Sequence, residues 1–323
     1  MPLSPKAIVI GALNIDLVIQ GLSHFARPGE QVNGRAVRLS AGGKGRNIAA
    51  MLAPWLWPGE VGMVGKLVQD AQGLYQIPLA SLQGAGINTN GVLIEKDRPD
   101  DLPTLSVFLN QTDGQRASYY LPGCNETLTP NEIDQVRPLL AQLAANDSIL
   151  LMTLEMPLAT ATHALHLAQA LDLPVMLDPG GQPPEAEIDF SPLFEAPPTW
   201  LKPNAQEAER LTGIPVQGFE SAKKAAEKLL AWGVEKVLIT DGAKGAYGFA
   251  QGSSFTVPTP DLPIPPQAES TGCGDQVLAV LCAQTLAGQP FQTAAEIAVF
   301  AGTLQFIQEG LTPIRPDHPQ FKR

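Results

Sequence analysis

The sequence predicts an α/β protein: a large, mostly parallel sheet flanked by helices (Rossmann-like), with a small β-sheet standing off it as a lid. Two patterns carry that expectation. Short apolar runs alternate with amphipathic helical stretches along most of the 323 residues, and two stretches break the alternation with half-polar strand patterns.

The runs Ala7 to Ile10, Val61 to Val64, Ser148 to Met152, Val175 to Leu177 and Lys236 to Thr240 read as strands buried on both faces. Between them, Leu158, Ala161, Leu165 and Ala168 share one face of a helix, and Ala222, Ala225, Ala226 and Leu229 share a face of another. Val32 to Ser40 alternates without a following helix until Gly43. Leu105 to Asn110 and Ala117 to Leu121 flank Asp113-Gly114, a hairpin turn signal. Such strands cover one face only, so the lid is expected from about residues 12–40 and 102–122. The 30 prolines cluster in Gln182 to Pro203 and Val257 to Pro266, which read as surface connections, and residues 1–323 read as a single domain.

With 44% hydrophobic and 16% charged residues, the chain can bury a substantial core. The net charge of -11 argues against nucleic acid as a partner, because phosphate backbones are held by clustered Lys and Arg. It leaves room for a small phosphate ligand met locally by a few cations and backbone amides. Cys124, Cys273 and Cys282 form no CxxC pair and are odd in number, which fits a reducing cytoplasm rather than a disulfide or zinc framework. Asn14 and Asp16 interrupt the stretch from Ile8 to Ile19, so it reads as neither leader nor membrane span, and no membrane partner is expected.

Five motifs carry chemistry. Ser270-Thr271-Gly272-Cys273-Gly274-Asp275 precedes the apolar run Val277 to Leu281. Small residues at a helix start let backbone N–H groups approach an anion, and the helix dipole adds to the attraction. Asp275 then either caps the helix or takes a proton from a hydroxyl that attacks the bound phosphate. The G-x-G here lacks the third glycine of a dinucleotide fingerprint, and no P-loop occurs. Gly42-Gly43-Lys44-Gly45-Arg46-Asn47 opens another helix, where Lys44 and Asn47 can donate to ligand oxygens. Asn14-Ile15-Asp16 follows the first strand, and an ionised Asp suits neighbouring sugar hydroxyls as readily as a turn. Lys202-Pro203-Asn204-Ala205-Gln206-Glu207 is either a capping arrangement or a site giving Glu207 to Mg²⁺ through water. Thr240-Asp241-Gly242-Ala243-Lys244-Gly245 ends a strand in a glycine-rich turn that suits a nucleotide or any tight turn. His163 and His166 point away from the apolar stripe of their helix and read as solvated surface. Trp55 and Trp57, beside Pro54 and Pro58, read as a turn packed against the core. Cys273 stands where a helix start lowers thiol pKa, but it reads as a tolerated small residue whose backbone N–H matters.

In this order the five motifs resemble the ribokinase-like (PfkB) family of carbohydrate and nucleoside kinases, nearest its ribokinase branch, from about residue 7 to the end. Leu154-Glu155-Met156-Pro157 and Pro122-Gly123-Cys124-Asn125 resemble two further family stretches. The resemblance implies the ribokinase-like fold and ATP-dependent phosphorylation of a primary hydroxyl on ribose or a related pentose or hexose. Asp275 would be the base, and Gly272, Cys273 and Gly274 the anion hole. Asn14, Asp16, Gly42, Gly43, Lys44, Asn47 and Glu155 would line the sugar pocket. Asn204, Thr240, Gly242 and Gly245 would face the nucleotide, and Glu207 would hold Mg²⁺. The resemblance also implies a homodimer through the lid and a K⁺ site that uses the acid at position 269. The sequence departs from the pattern at Glu269, Ser270, Cys273 and Gln276, which leaves K⁺ and ribose specificity open. A nucleoside or fructose-type kinase, and a silent sugar-binding sensor, remain as alternatives.

Overall fold

The computed structural model describes residues 5–96, 103–145, 147–183, 187–265, 268–308 and 310–322. Its strands are β1 (Ala7–Ile10), β2 (Asn14–Leu22), β3 (Ala36–Gly42), β4 (Val61–Val68), β5 (Asn88–Glu95), β6 (Leu105–Gln111), β7 (Arg116–Leu121), β8 (Ile149–Thr153), β9 (Val175–Asp178), β10 (Trp200–Leu201), β11 (Lys236–Thr240), β12 (Ala246–Ala250) and β13 (Ser253–Val257). The helices are α1 (Lys44–Leu52), α2 (Gln76–Gly84), α3 (Pro130–Gln135), α4 (Arg137–Ala144), α5 (Leu158–Ala170), α6 (Ala205–Thr212), α7 (Phe219–Ala231), α8 (Cys273–Leu286) and α9 (Phe291–Ile307).

Nine strands form one sheet in the order β13-β12-β11-β10-β9-β8-β1-β4-β5. From β11 through β5 every pairing is parallel, and β12 and β13 add an antiparallel edge. Parallel strands are buried on both faces because their crossover helices cover them. Ile8 and Ile10 accordingly join one apolar cluster with residues of α3 to α7, while Ala7 and Val9 join the other with α1, α8 and α9. From β1 the chain winds outward to β4 and β5 on one side and to β8, β9 and β10 on the other. The strand order therefore reverses at β1 and β8. In open parallel sheets ligands bind at such a reversal, beyond the carboxyl ends of the strands.

The small sheet has the order β3-β2-β6-β7, with β2 and β6 parallel and the other pairs antiparallel. Strand β3 starts later than expected: it spans Ala36–Gly42, and residues 32–35 lie outside it, since Asn33-Gly34 is a poor strand former. Of the expected second lid segment, residue 102 lies outside the described residues, as do residues 184–186 and 266 of the proline-rich connections. The tryptophan turn is half as expected. Trp55 donates its indole N–H to Ile314 O at 2.8 Å and meets Phe321 edge-on, but Trp57 is 73% exposed. Among the described residues no helix is long and apolar enough to cross a membrane.

Candidate active site

The chemistry-bearing side chains gather at the carboxyl ends of the central strands and at the starts of α1 and α8. Asp275 stands in the first turn of α8 and is buried. Gly272 caps that helix at φ 77°, a left-handed conformation that suits glycine, and a side chain there would collide with Leu311. Both carboxylate oxygens of Asp275 are held. Lys44 Nζ donates to Oδ1 at 2.9 Å, and Asn47 Nδ2 donates to Oδ2 at 3.1 Å. The motif read as a sugar loop and the motif read as an anion loop therefore meet directly. The Cys273 N–H donates to Ser270 O at 3.2 Å, so this member of the expected anion hole also closes the turn. Burial, with Asp275 and Glu269 nearby, pushes the Cys273 thiol up to about 12, which removes it as a reactive nucleophile.

Lys44 joins two further groups. Its Nζ lies 3.3 Å from Asp178 Oδ1, and its backbone N–H donates to Glu155 Oε2 at 2.6 Å. Burial works against its charge, but Asp178 and Asp275, with Glu207 and Glu155 behind them, outweigh burial and hold the ammonium on. Asp178 is fully buried at the end of β9 and pairs with Lys202 Nζ at 2.6 Å. Burial alone would raise its pKa; Lys202 and Lys44 reverse that and keep it well below the usual carboxylate range. Lys202 Nζ also donates to Gly274 O at 3.2 Å, which ties β10 to the first turn of α8. The sequence motifs give Asp178 and Lys202 no role of their own. The available signal is a charge at or directly after the end of a buried strand, with Gly180-Gly181 following Asp178, much as Asp16 follows β1.

The other predicted residues divide by location. Glu155 is half-buried against Lys44, and desolvation lifts its carboxyl to about 7 although the Lys44 charge pulls it down. Asp16 is buried, which lifts it to about 6 against the opposing charge of Arg46 and a hydrogen bond from Ser106. Gly42 makes room for it: a Cβ there would fall 2.1 Å from Asp16 Oδ1. Gly43, at φ 89°, lets α1 start against Ala12. Asn14 sits in a buried polar knot. It accepts from Asn125 Nδ2 at 2.8 Å and donates to Ser106 Oγ at 3.4 Å, so it ties β2 to β6.

Asn204 and Glu207 form the complete capping box of α6, each bond 2.8 Å long. That does not exhaust Glu207. A Cβ on Gly180 would fall 2.7 Å from Glu207 Oε1 and 2.8 Å from Asp178 Oδ1, so these two carboxylate oxygens converge on one glycine. Burial and then the charge of Asp178 raise the Glu207 pKa, the mark of like charges sharing a space. Lys44 Cε would lie 2.9 Å from the same Cβ, and Asp178 is already paired with Lys44 and Lys202, so Glu207 is the carboxylate left to face a hard divalent cation. Thr240 bridges to Asn204 at the end of β11, and Gly242 and Gly245 shape the turn beyond it. Gly245, at φ 92°, passes so close to β13 that a Cβ would reach Val257 O. No bond links this turn to the Lys44 cluster in the described residues. Glu269, expected beside K⁺, lies 3.7 Å from Arg116 of β7. A guanidinium against that carboxylate does not fit a second cation there.

Known proteins share this architecture. Residues 4–317 match the pfkB family carbohydrate kinase domain. A ribokinase of Arabidopsis thaliana is 27% identical over 97% of this chain and 79% of its own length. A 1-phosphofructokinase of Xanthomonas campestris is 31% identical over 80% of this chain and 78% of its own. The structure of Arabidopsis thaliana ribokinase complexed with ribose and ATP superposes with a TM-score of 0.81, at 25% identity, over 96% of both chains. Together these define the class, an α/β small-molecule kinase. The chain belongs to the pfkB family of carbohydrate kinases.

Proposed function

We propose that this chain transfers the terminal phosphoryl group of ATP to a primary hydroxyl of a sugar, ribose or a related pentose or hexose, with Asp275 as general base. One observation carries the reading: a buried carboxylate in the first turn of a glycine-capped helix, held on each oxygen by a residue of the Gly42–Asn47 loop. That loop and the two similar kinases supply the context.

Phosphoryl transfer passes through a loose transition state, so the protein contributes mainly positioning and charge stabilisation. Asp16 accepts from sugar hydroxyls and fixes the acceptor at the mouth of β1. Glu155, anchored on the Lys44 amide, does the same from β8. Asp275 orients the attacking hydroxyl and takes its proton as the O–P bond forms; a carboxylate has about four lone-pair directions, and Lys44 and Asn47 use two of them. Gly272 and Gly274, with Cys273, present the helix start to the transferred group, where fixed amides stabilise growing negative charge. Lys44 and Lys202 neutralise charge on the same side. Asn204, Thr240, Gly242 and Gly245 line the nucleotide edge. Glu207 would hold Mg²⁺ through water, and the ion when bound would shield the nucleotide phosphates.

The outer face of the small sheet supports a homodimer. Leu39, Leu17, Val107 and Tyr119 form one cross-strand row and Val37, Ile19 and Leu109 the next, with Val37 68%, Leu39 49% and Tyr119 61% exposed. A flat apolar face of this kind is self-complementary about a two-fold axis, so its partner is a second copy of the chain. A reducing cytoplasm, where cysteines stay free as Cys124, Cys273 and Cys282 are here, is the compartment this reading assigns.

The test is ADP release with MgATP against pentoses, hexoses, fructose-type sugars and nucleosides. Strong release with a sugar carrying a free primary hydroxyl is the expected result. Release with nucleosides alone would move the assignment to another kinase specificity, and sugar binding without release would make the chain a sensor.

A further inference from the structure

Arg116 opens β7, yet its side chain reaches the loop in front of α8. Its guanidinium donates to Thr271 Oγ1 at 2.9 Å and lies 3.7 Å from Glu269 Oε2. The group is set in place by the Phe108 ring of β6, 4.1 Å beneath it. Thr271 precedes the left-handed Gly272, and Glu269 is anchored from the other side, its N–H donating to Phe306 O at 3.1 Å. The loop that aims the first amides of α8 is thus fixed at one end by α9 and at the other by the small sheet.

We propose that Arg116 is a positioning residue that latches the small sheet to loop 269–272, and that it serves Glu269 as a built-in cation in place of a monovalent metal ion. The inference rests on the kinase reading for its functional meaning, but the contact itself does not. Arginine suits this role because it stays charged at any working pH, its planar fork makes directed bonds, and the aromatic ring beneath it limits its freedom. A fixed guanidinium also repels a mobile cation from the same carboxylate. When the small sheet lifts, the loop loses this restraint. The phosphate-binding turn is then complete only when the sheet is down, with water excluded, which limits loss of the phosphoryl group to water.

Three measurements test this. In hydrogen exchange, Arg116→Ala should speed exchange of the Ser270–Gly274 amides by about tenfold or more while β1 amides keep their rates, and Arg116→Lys should fall between. Unchanged loop exchange in Arg116→Ala overturns the latch, whether or not an acceptor sugar has been found. With an acceptor, Arg116→Ala should lower kcat about tenfold with KM for the sugar within about threefold, and Arg116→Lys should recover part of it. A rise in KM at unchanged kcat overturns it. Wild-type turnover should be the same in potassium and tetramethylammonium salts within about twofold, and strong activation by potassium overturns the built-in cation. If wild type turns over no acceptor, the kinase reading fails while the exchange result still decides the latch.

Discussion

The strand-end cluster and the small sheet both carry charge toward the site, but they hold it differently. Around Lys44 the groups are desolvated and locked. Asp178 is fully buried between two ammonium groups, Asp275 is gripped on both oxygens, and Glu155 accepts from a backbone amide. On the small sheet, Arg116 has a third of its side chain exposed, and Leu39 and Tyr119 face solvent. The contrast separates two roles. Lys44, Asp178 and Asp275, which must be in place before the reaction, gather at the strand ends of the large sheet, where the low dielectric makes each contact strong, and Asp16 of β2 is the one buried site charge on the small sheet. Groups that must open and close, or meet a partner, are left half-exposed, where contacts can be broken at modest cost.

The difference can be tested from the large effects downward. Lys44→Met leaves Asp178 and Asp275 without their shared ammonium, and urea denaturation should show a loss of about 3 kcal/mol, as for other broken buried pairs. A loss below about 1 kcal/mol would mean the cluster is no more rigid than the small sheet.

Glu155→Gln probes the same region through pH. The folded-state pKa of Glu155 is raised from 4.5 to about 7, so over that range the folded protein binds more protons than the unfolded chain. Its stabilising contribution is full below pH 4.5 and is lost as pH rises through 7. The variant should therefore melt about 2–4 °C above wild type at pH 8 and level with it near pH 4.5. An equal loss at both pH values would show that the acceptor geometry matters and the charge does not.

Leu39→Lys addresses the small sheet and should change stability by less than about 0.5 kcal/mol, because the side chain is exposed. Sedimentation should nonetheless show a monomer where wild type is a dimer. A wild-type monomer, or an unaffected dimer, removes this face as the interface.

Much of the fold is legible in the sequence where burial is continuous. β1, β4, β8, β9 and β11 are built on short apolar runs, β4 continuing past the expected Val64 through Lys66 to Val68, and the stripes of α5 and α7 fall on buried positions except for the half-buried Leu158. The half-buried edges are not legible in this way. β5 begins Asn88-Thr89-Asn90-Gly91, a turn-like string that only pairing with β4 makes a strand, and β12 and β13 form a short antiparallel edge. β10 has two residues, too few for any period. At the site, the loop glycines and Asp275 announce themselves through spacing. Asp178 and Lys202 do not, because their meaning lies in pairing across the sheet. Lys44 and Asp275 meet from 231 residues apart, and no local pattern encodes such a contact. Glu207 shows the opposite limit: both its capping spacing and its Mg²⁺ reading are visible in the sequence, and the capping box is the part the fold displays.

Asp275→Asn measured beside wild type is the most direct test of the central claim. Amide for carboxylate preserves shape and one acceptor but cannot take the hydroxyl proton. With the best acceptor sugar, kcat should fall by about 10²–10⁴-fold while the sugar Kd, read by calorimetry, stays within about threefold. A variant that keeps near wild-type kcat would contradict the assignment and leave Asp275 as a structural partner of Lys44 and Asn47.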